Sequence, residues 1–173
     1  MNTFTKNSHH LIKFLCGTLL LFCFSFSLAQ PVLPQKTITV QPTQSLHFGT
    51  FCVTGAGGGT VTVGYDNSRT SSGEIILINA PPYAQPAIFE IKLCQGRNVS
   101  IEFDKTTVLS NSTNGTLTLE IGPTEKGLSG VHFVTNSDCN FITPLRVGGK
   151  LIVPGSALPG IYTGTFAINF IQQ

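Results

Sequence analysis

The chain has 173 residues, of which 41% are hydrophobic and 10% charged, and its formal net charge is +2. Lys6 and Lys13, near the N-terminus, account for this excess, so the rest of the chain is neutral. A neutral surface with few charges does not attract nucleic acid or an anionic membrane, and we expect neither as a partner.

Residues 1–29 have the features of a secretory signal peptide. Lys6 and Lys13 precede an apolar run from Phe14 to Leu28, and the small residues Ser27 and Ala29 occupy the positions that favour cleavage. The run is shorter than the roughly 20 residues that a membrane-spanning helix requires. We therefore predict a signal helix that is cleaved after Ala29. The mature chain is expected to have no membrane span and to be exported to the periplasm, the outer surface or the medium.

The mature chain is dominated by the apolar–polar alternation that is typical of half-buried β-strands. In chain order the alternating segments are TVTVGY from Thr60, IFEIKL from Ile88, VSIEF from Val99, TLTLEI from Thr116 and YTGTFAINF from Tyr162. Turn signals separate these segments, and none of them has a helical period. The pattern predicts an all-β domain, an antiparallel β-sandwich over residues 46–173.

The sequence contains two glycine clusters, Gly57–Gly59 and Gly148–Gly149. Gly57–Gly59 precede a strand and not a helix, whereas a phosphate-binding loop needs the N–H groups of a following helix. We therefore interpret them as a loop or bulge in which backbones approach closely. In LRVGGKLIV, the pair Gly148–Gly149 predicts a two-residue hairpin turn. The four apolar residues around that turn are expected in the core: Leu145, Val147, Leu151 and Val153.

The mature sequence offers no convincing constellation for catalysis. His47 and His132 are its two histidines, and neither stands at a metal-ligand spacing from a cysteine or carboxylate. Glu102 and Asp104 share one strand face, but a solvated outer face explains them better than a catalytic pair does. We predict that the protein is not an enzyme and has no catalytic residue, cofactor or metal ion.

Five ordered motifs resemble those of a bacterial family, the domain-of-unknown-function family 4402. They read SLHFGTF, GGGTVTV, SRTSSGEIILI, PAIFEIK and VGGKLIVPG with PGIYTGTFAINF, and together they extend from Leu46 to Phe170. The resemblance implies an exported β-sandwich of immunoglobulin-like or pilin-like character, and it implies no reaction or ligand. Gly49, Arg69 and Gly164 occupy motif positions, which need only be structural.

Three of the five cysteines lie beyond the signal segment: Cys52, Cys94 and Cys139. In an exported protein one disulfide and one free thiol are expected, with three reduced cysteines as the alternative. In an immunoglobulin-like strand order, the strand ending at Cys94 pairs antiparallel with the strand beginning near Leu145, which brings Cys139 beside Cys94. We predict a Cys94–Cys139 disulfide, with Cys52–Cys94 as the rival pairing.

Both ends of the mature chain carry alternating apolar residues that suit strand pairing between subunits. Residues 30–45 contain Ile38 and Val40 and are either an N-terminal extension donated to a neighbour or the domain's own first strand. The C-terminal strand resembles the closing strand of chaperone–usher pilins, although Gln172 stands where those proteins have an aromatic residue. Its candidate strand-donor or edge contacts are Tyr162, Phe166, Ile168 and Phe170.

These features favour a non-enzymatic structural or adhesive subunit of the bacterial cell surface, whose partners are identical or related subunits. The alternative is a secreted carbohydrate-binding module, which would present an exposed aromatic ring to a glycan. Tyr83, in the proline-rich loop APPYAQP, is the candidate for that contact.

Overall fold

The computed structural model describes residues 37–93, 96–138 and 140–173. These ranges form β-strands, turns and loops, and they contain no helix long and apolar enough to cross a membrane. The predicted signal helix lies outside the described residues. The first six strands are β1 (Thr39–Gln44), β2 (Thr50–Val53), β3 (Gly59–Val63), β4 (Arg69–Gly73), β5 (Ile75–Ile78) and β6 (Ala87–Lys92). The remaining six are β7 (Asn98–Phe103), β8 (Thr106–Ser110), β9 (Thr116–Thr124), β10 (His132–Val134), β11 (Thr143–Val153) and β12 (Ile168–Gln172).

The strands form three antiparallel sheets. The largest follows the order β1-β6-β11-β3-β4, and β9, with β8 beyond it, also pairs with β11. A three-stranded sheet has the order β10-β7-β12, and β2 and β5 form a two-stranded ribbon. Within the described ranges the fold is therefore all-β and antiparallel, as the alternating pattern predicts.

β11 is the central strand of the largest sheet because it has neighbours along both of its edges. Val147 pairs with Ala87 of β6 and with Thr124 of β9, so β6 and β9 lie on opposite sides. β3 pairs with the second half of β11, from Gly149 to Val153, on the side opposite β9. Half of β11 thus faces β6 and the other half faces β3.

The hydrophobic core is built from the alternate apolar residues that these strands direct inward. Phe89 of β6 contacts Phe166 and Phe170, with ring centroids 6.3 and 5.9 Å apart, and so joins the largest sheet to the C-terminal segment. The predicted core positions on β11 are confirmed. The most deeply buried aliphatic residues are Val61, Val63, Ala87, Ile91, Val99, Ile101, Leu117, Leu145, Val147, Leu151 and Val153.

The prediction of a hairpin at Gly148–Gly149 is wrong, because β11 continues through both glycines as one strand. A Cβ on Gly148 would lie 2.5 Å from the Val63 carbonyl oxygen, and one on Gly149 would lie 2.9 Å from a Leu46 side-chain carbon. Both glycines therefore allow neighbouring segments of the same chain to approach β11 closely, and they do not reverse the chain. The alternation of apolar residues at odd positions in fact continues through Gly149.

Gly57 and Gly58 lie in the loop that leads into β3, and Gly59 is the first residue of that strand, so the interpretation of the cluster as a loop of closely packed backbone is confirmed. A Cβ on Gly59 would clash with the backbone carbonyl of Ser72, so the glycine permits close packing of β3 on β4. The N–H of Gly57 donates a hydrogen bond of 2.6 Å to the Glu74 carboxylate. A side chain of the same chain therefore occupies the position at which a phosphate loop would bind its ligand.

β1 is the first strand of this domain in the described structure. It pairs antiparallel with β6, with Thr39 opposite Lys92 and Val40 opposite Ile91. Of the two interpretations left open for residues 30–45, the structure thus has part of this segment as the domain's own first strand.

Candidate functional site

The edges of the sheets are the candidate interaction sites, because an outermost strand presents backbone N–H and C=O groups that another chain can pair with. In the described ranges the outermost strands of the largest sheet are β1, β4 and β8. Those of the three-stranded sheet are β10 and β12.

The apolar residues predicted as edge contacts lie at two of these edges. Ile38 immediately precedes β1 and Val40 lies within it, while Ile168 and Phe170 belong to β12. All of the predicted contacts are half-buried and pack against the core from its margin, including Tyr162 and Phe166 in the segment before β12. Val40 thus belongs to the largest sheet, and Ile168 and Phe170 belong to the three-stranded sheet.

β12 is covered on one side only. It pairs with β7 from Ile168 opposite Phe103 to Gln172 opposite Val99, and no described strand pairs with its other edge. The inward residues of β7, Val99 and Ile101, are 0% exposed, whereas Ile168 and Phe170 of β12 remain half-buried. The difference follows from position, because no described strand pairs with the outer edge of β12.

The segment before β12 is held by a tyrosine corner. The Tyr162 hydroxyl donates a hydrogen bond of 2.6 Å to the carbonyl of Leu158, four residues upstream, as in immunoglobulin-like sandwiches. Thr163 and Ser110 then exchange two backbone hydrogen bonds of 2.9 Å, which attach the segment to the edge of β8. The corner therefore attaches the segment to the end of β8, before the chain crosses to β12.

Asn111 stabilises the loop between β8 and β9, next to this corner. Its Oδ1 accepts hydrogen bonds from the N–H groups of Gly115, at 2.6 Å, and Thr113, at 3.0 Å. A Cβ on Gly115 would lie 2.6 Å from the Tyr162 hydroxyl oxygen, so the glycine leaves room for the phenol. Sequence patterns did not predict this arrangement, although LPGIY contains its tyrosine.

Two motif residues, Gly49 and Arg69, lie in contact. The Arg69 guanidinium donates to the carbonyl oxygens of Thr50, at 2.7 Å, and Ile78, at 3.2 Å, which face each other at the end of the β2–β5 ribbon. Gly49 has φ +71, and a Cβ there would lie 3.0 Å from the Arg69 Cζ atom. Partial burial lowers the pKa of Arg69 from its ordinary value. Arg69 thus joins β4 to the ribbon, which is a structural role.

The tyrosines occupy different environments. Tyr83, in the loop between β5 and β6, is 62% exposed and available to a ligand. Tyr65, which the alternation places on the core face, lies just beyond β3 and is 40% exposed, because the strand ends before it. Tyr162 belongs to the corner described above.

The polar residues considered for catalysis occupy three separate places, of which one is the exposed His132 on β10. Glu102 and Asp104 line a polar depression of about 400 Å³ together with Ser129 and Asn169. The Nδ1 atom of His47 accepts a hydrogen bond of 2.9 Å from the N–H of Gly49, a local backbone contact. The described residues contain no group of three or more histidine, cysteine or acidic side chains arranged for a metal ion.

Of the three cysteines, only Cys52 lies within the described residues, where it is exposed on β2 with a free thiol. Cys94 and Cys139 lie outside the described residues, so the disulfide stays a prediction. The segments that flank them are hydrogen-bonded to each other. The N–H of Gly96 donates to the carbonyl of Asn136 at 3.2 Å, and the N–H of Thr135 donates to the carbonyl of Arg97 at 3.0 Å.

Comparison with protein families links the chain to the family described as "Domain of unknown function (DUF4402)", whose profile matches residues 38–171. The chain belongs to this family. The match begins at Ile38, next to β1, and ends at Ile171 in β12, so it extends from the first described strand to the last. No curated protein and no solved structure matches the chain.

Proposed function

We propose that this DUF4402 protein is an exported, non-enzymatic structural or adhesive subunit of the bacterial cell surface. Its subunits associate with identical or related subunits through the edges of their sheets. The observation that carries the proposal is the open outer edge of β12, with Ile168 and Phe170 only half-buried beside it. An open strand edge next to apolar surface is the feature that strand addition uses.

The sequence supports this proposal from two sides. The predicted signal peptide accounts for export, and the neutral, sparsely charged mature chain accounts for contacts that rest on backbone pairing and apolar side chains. The likeness of the last strand to the closing strand of pilins points to a related mode of assembly. Gln172, in place of the aromatic residue of pilins, argues against dependence on the same chaperones.

Edge pairing suits this chain better than donation of the N-terminal strand. Val40 is paired with Ile91 of the same domain through β1 and β6. Donating β1 to a neighbour would break that ladder and expose the side of β6. An edge that is already open can pair at no such cost.

The test is to express the full chain in a bacterium with a C-terminal tag and to follow its processing and location. We expect a mature N-terminus at Gln30, recovery in the exported fraction, and labelling by an antibody against the tag on intact cells. The matched control is Ala29→Arg, which removes the small residue at the cleavage site and should leave the precursor uncleaved. An unprocessed wild-type chain retained in the cytoplasm would contradict the proposal.

The second candidate is a secreted carbohydrate-binding module, and the exposure of Tyr83 favours it. An exposed tyrosine can stack on a sugar ring while its hydroxyl remains hydrated. Retention of the protein on insoluble polysaccharides, lost in Tyr83→Ala and kept in Tyr65→Ala, would support this function. Equal recovery of both variants with the polysaccharide would remove Tyr83 from consideration.

A further inference from the structure

We infer that the outer edge of β12 pairs antiparallel with the same edge of a second copy of this chain, which makes one continuous sheet across a two-fold axis. The inference deepens the proposed function, on which it rests, by naming the strand and the partner. It depends on a comparison of the outermost strands, on the direction of the backbone groups of β12, and on the residues that self-pairing brings together.

Six other strands are outermost in the described ranges, and two of them, β2 and β5 of the ribbon, have only four residues each. The remaining four carry further features that hinder pairing with another chain. β1 contains Pro42, which has no N–H, and its register with β6 shifts between Pro42 and Gln44. β8 is held to the C-terminal segment by the bridge from Ser110 to Thr163 and by the hydrogen bond that the Thr107 hydroxyl donates to the Thr165 carbonyl. β10 has three residues. β4 is attached to the β2–β5 ribbon by the Arg69 guanidinium, which donates to the carbonyls of Thr50 and Ile78.

β12 has none of these features. Its sequence, INFIQ, contains no charge, no proline and no glycine, and its register with β7 is regular from one end to the other. Ile171 on its outer face is 42% exposed. Natural proteins rarely leave such a strand open unless it has a partner.

The backbone groups of alternate residues in β12 point to the open edge. The N–H of Gln173 donates to the carbonyl of Asn98 on β7 at 3.0 Å. Because N–H and C=O groups alternate in direction along a strand, Ile168, Phe170 and Gln172 direct theirs away from β7. No hydrogen bond among the described residues engages these groups.

Antiparallel pairing of β12 with β12 of a second copy, centred on Phe170, gives each of these N–H and C=O groups a hydrogen-bond partner. In that register Phe170 faces Phe170 of the second copy, and Ile168 faces its Gln172, so each facing pair exchanges two backbone hydrogen bonds. On the outer face Asn169 lies opposite Ile171. No charges oppose one another, and the half-buried rings of Phe170 gain cover from each other.

A second copy fits this edge better than the N-terminal segment of a neighbouring chain. Residues 30–36 read QPVLPQK, and Pro31 and Pro34 each lack the N–H that a paired strand needs. The strand β12 itself has the length, the regularity and the absence of charge that the edge requires. A two-fold arrangement also closes at the dimer, as most soluble oligomers do.

The experiment measures self-association of the purified protein by sedimentation velocity over a series of concentrations. The full chain is expressed, and the protein is studied with whatever N-terminus the cell leaves. We expect a monomer–dimer equilibrium. Ile171→Lys, on the outer face, and Gln172→Pro, which removes an N–H directed to the open edge, should each weaken it at least about tenfold.

The matched control is Ile76→Lys, which puts the same charge on an exposed isoleucine of β5, in the two-stranded ribbon. It should leave the dimer unchanged. Hydrogen exchange provides a second measurement that needs no variant: the Phe170 amide should become protected as the protein concentration rises.

Three results would overturn the inference: a monomer at every concentration, a dimer that survives Ile171→Lys, or a dimer that Ile76→Lys weakens equally. If the Gln172→Pro variant misfolds, the self-association of Ile171→Lys and the hydrogen exchange of the Phe170 amide still test the inference. Failure of this inference is distinct from failure of the proposed function, because the processing and location of the chain are measured separately in cells.

Discussion

β11 and β12 derive from the same kind of sequence, yet they occupy opposite positions in the fold. LRVGGKLIV and YTGTFAINF both alternate apolar with other residues. β11 has neighbours along both edges, and Leu145 and Val147 are 0% exposed. β12 has one described neighbour, β7, and its inward residues Ile168 and Phe170 remain half-buried.

The difference shows that alternation specifies which face of a strand is apolar but not how many neighbours the strand has. β11 pairs with β3, β6 and β9, which precede it by tens of residues, so its burial depends on contacts distant in sequence. Gly148 and Gly149 lie where the neighbouring segments leave no room for a side chain.

Loss of the predicted Cys94–Cys139 disulfide should have the largest effect on stability. This disulfide would join the end of β6 to the segment that leads into β11. Pairing of Thr143 with Ile91 already brings these two strand ends together. Closing a loop of about 45 residues stabilises a fold by roughly 4 kcal/mol in the chain-entropy model. We expect Cys139→Ser to lower the free energy of unfolding by about that amount, measured by guanidinium denaturation.

Cys52→Ser is the control, since its thiol is exposed on β2, and it should change the free energy of unfolding little. Peptide mapping without reductant identifies the pairing directly. A peptide that links Cys94 to Cys52, or alkylation of all three thiols, would contradict the prediction.

Truncation of one inward residue on each strand compares their burial. Leu145→Ala in β11 should cost about 3 kcal/mol, because it leaves a cavity in a closed core. Ile168→Ala in β12 should cost about 1 kcal/mol in the monomer, because the side chain is already partly hydrated. Urea denaturation at low protein concentration measures both values, and equal losses would show that the two strands are equally enclosed.

Replacement of Gly148 separates close approach from a turn. Gly148→Asn should cost about 2 kcal/mol, because the new side chain meets the backbone of β3. A two-residue hairpin would instead tolerate the change, since Asn-Gly favours such turns. Gly57→Ala is the control, because a Cβ there approaches only the end of the Glu74 side chain, at 3.0 Å. An unchanged melting temperature in Gly148→Asn would restore the hairpin interpretation.

The tyrosine corner sets where β12 begins, and its hydrogen bond is expected to contribute least. Tyr162→Phe removes the bond to Leu158 and should lower the free energy of unfolding by about 1 kcal/mol. Tyr83→Phe, in an exposed loop, should have no measurable effect. The corner would have no energetic role if both variants unfolded like the wild type.

The candidate site was only partly predictable from the sequence. Alternation identified Ile168 and Phe170 as apolar residues of a terminal strand, which is a local property. The openness of that strand depends on where every other strand lies, and no short segment contains that information. Likewise Gly49 and Arg69 stand 20 positions apart in separate motifs, and their contact becomes visible only when β2, β4 and β5 are packed together.

Sequence pattern alone predicts that the domain is all-β, which residues of β3, β7, β9 and β11 face the core, and that backbones approach closely at Gly57–Gly59. These properties follow from side-chain periodicity and local steric freedom, which act over a few residues. The tertiary structure alone decided that β11 passes straight through Gly148 and Gly149 and that β12 ends at an open edge. Strand pairing between distant segments sets both features, because a backbone edge is closed only by the strand that comes to lie beside it.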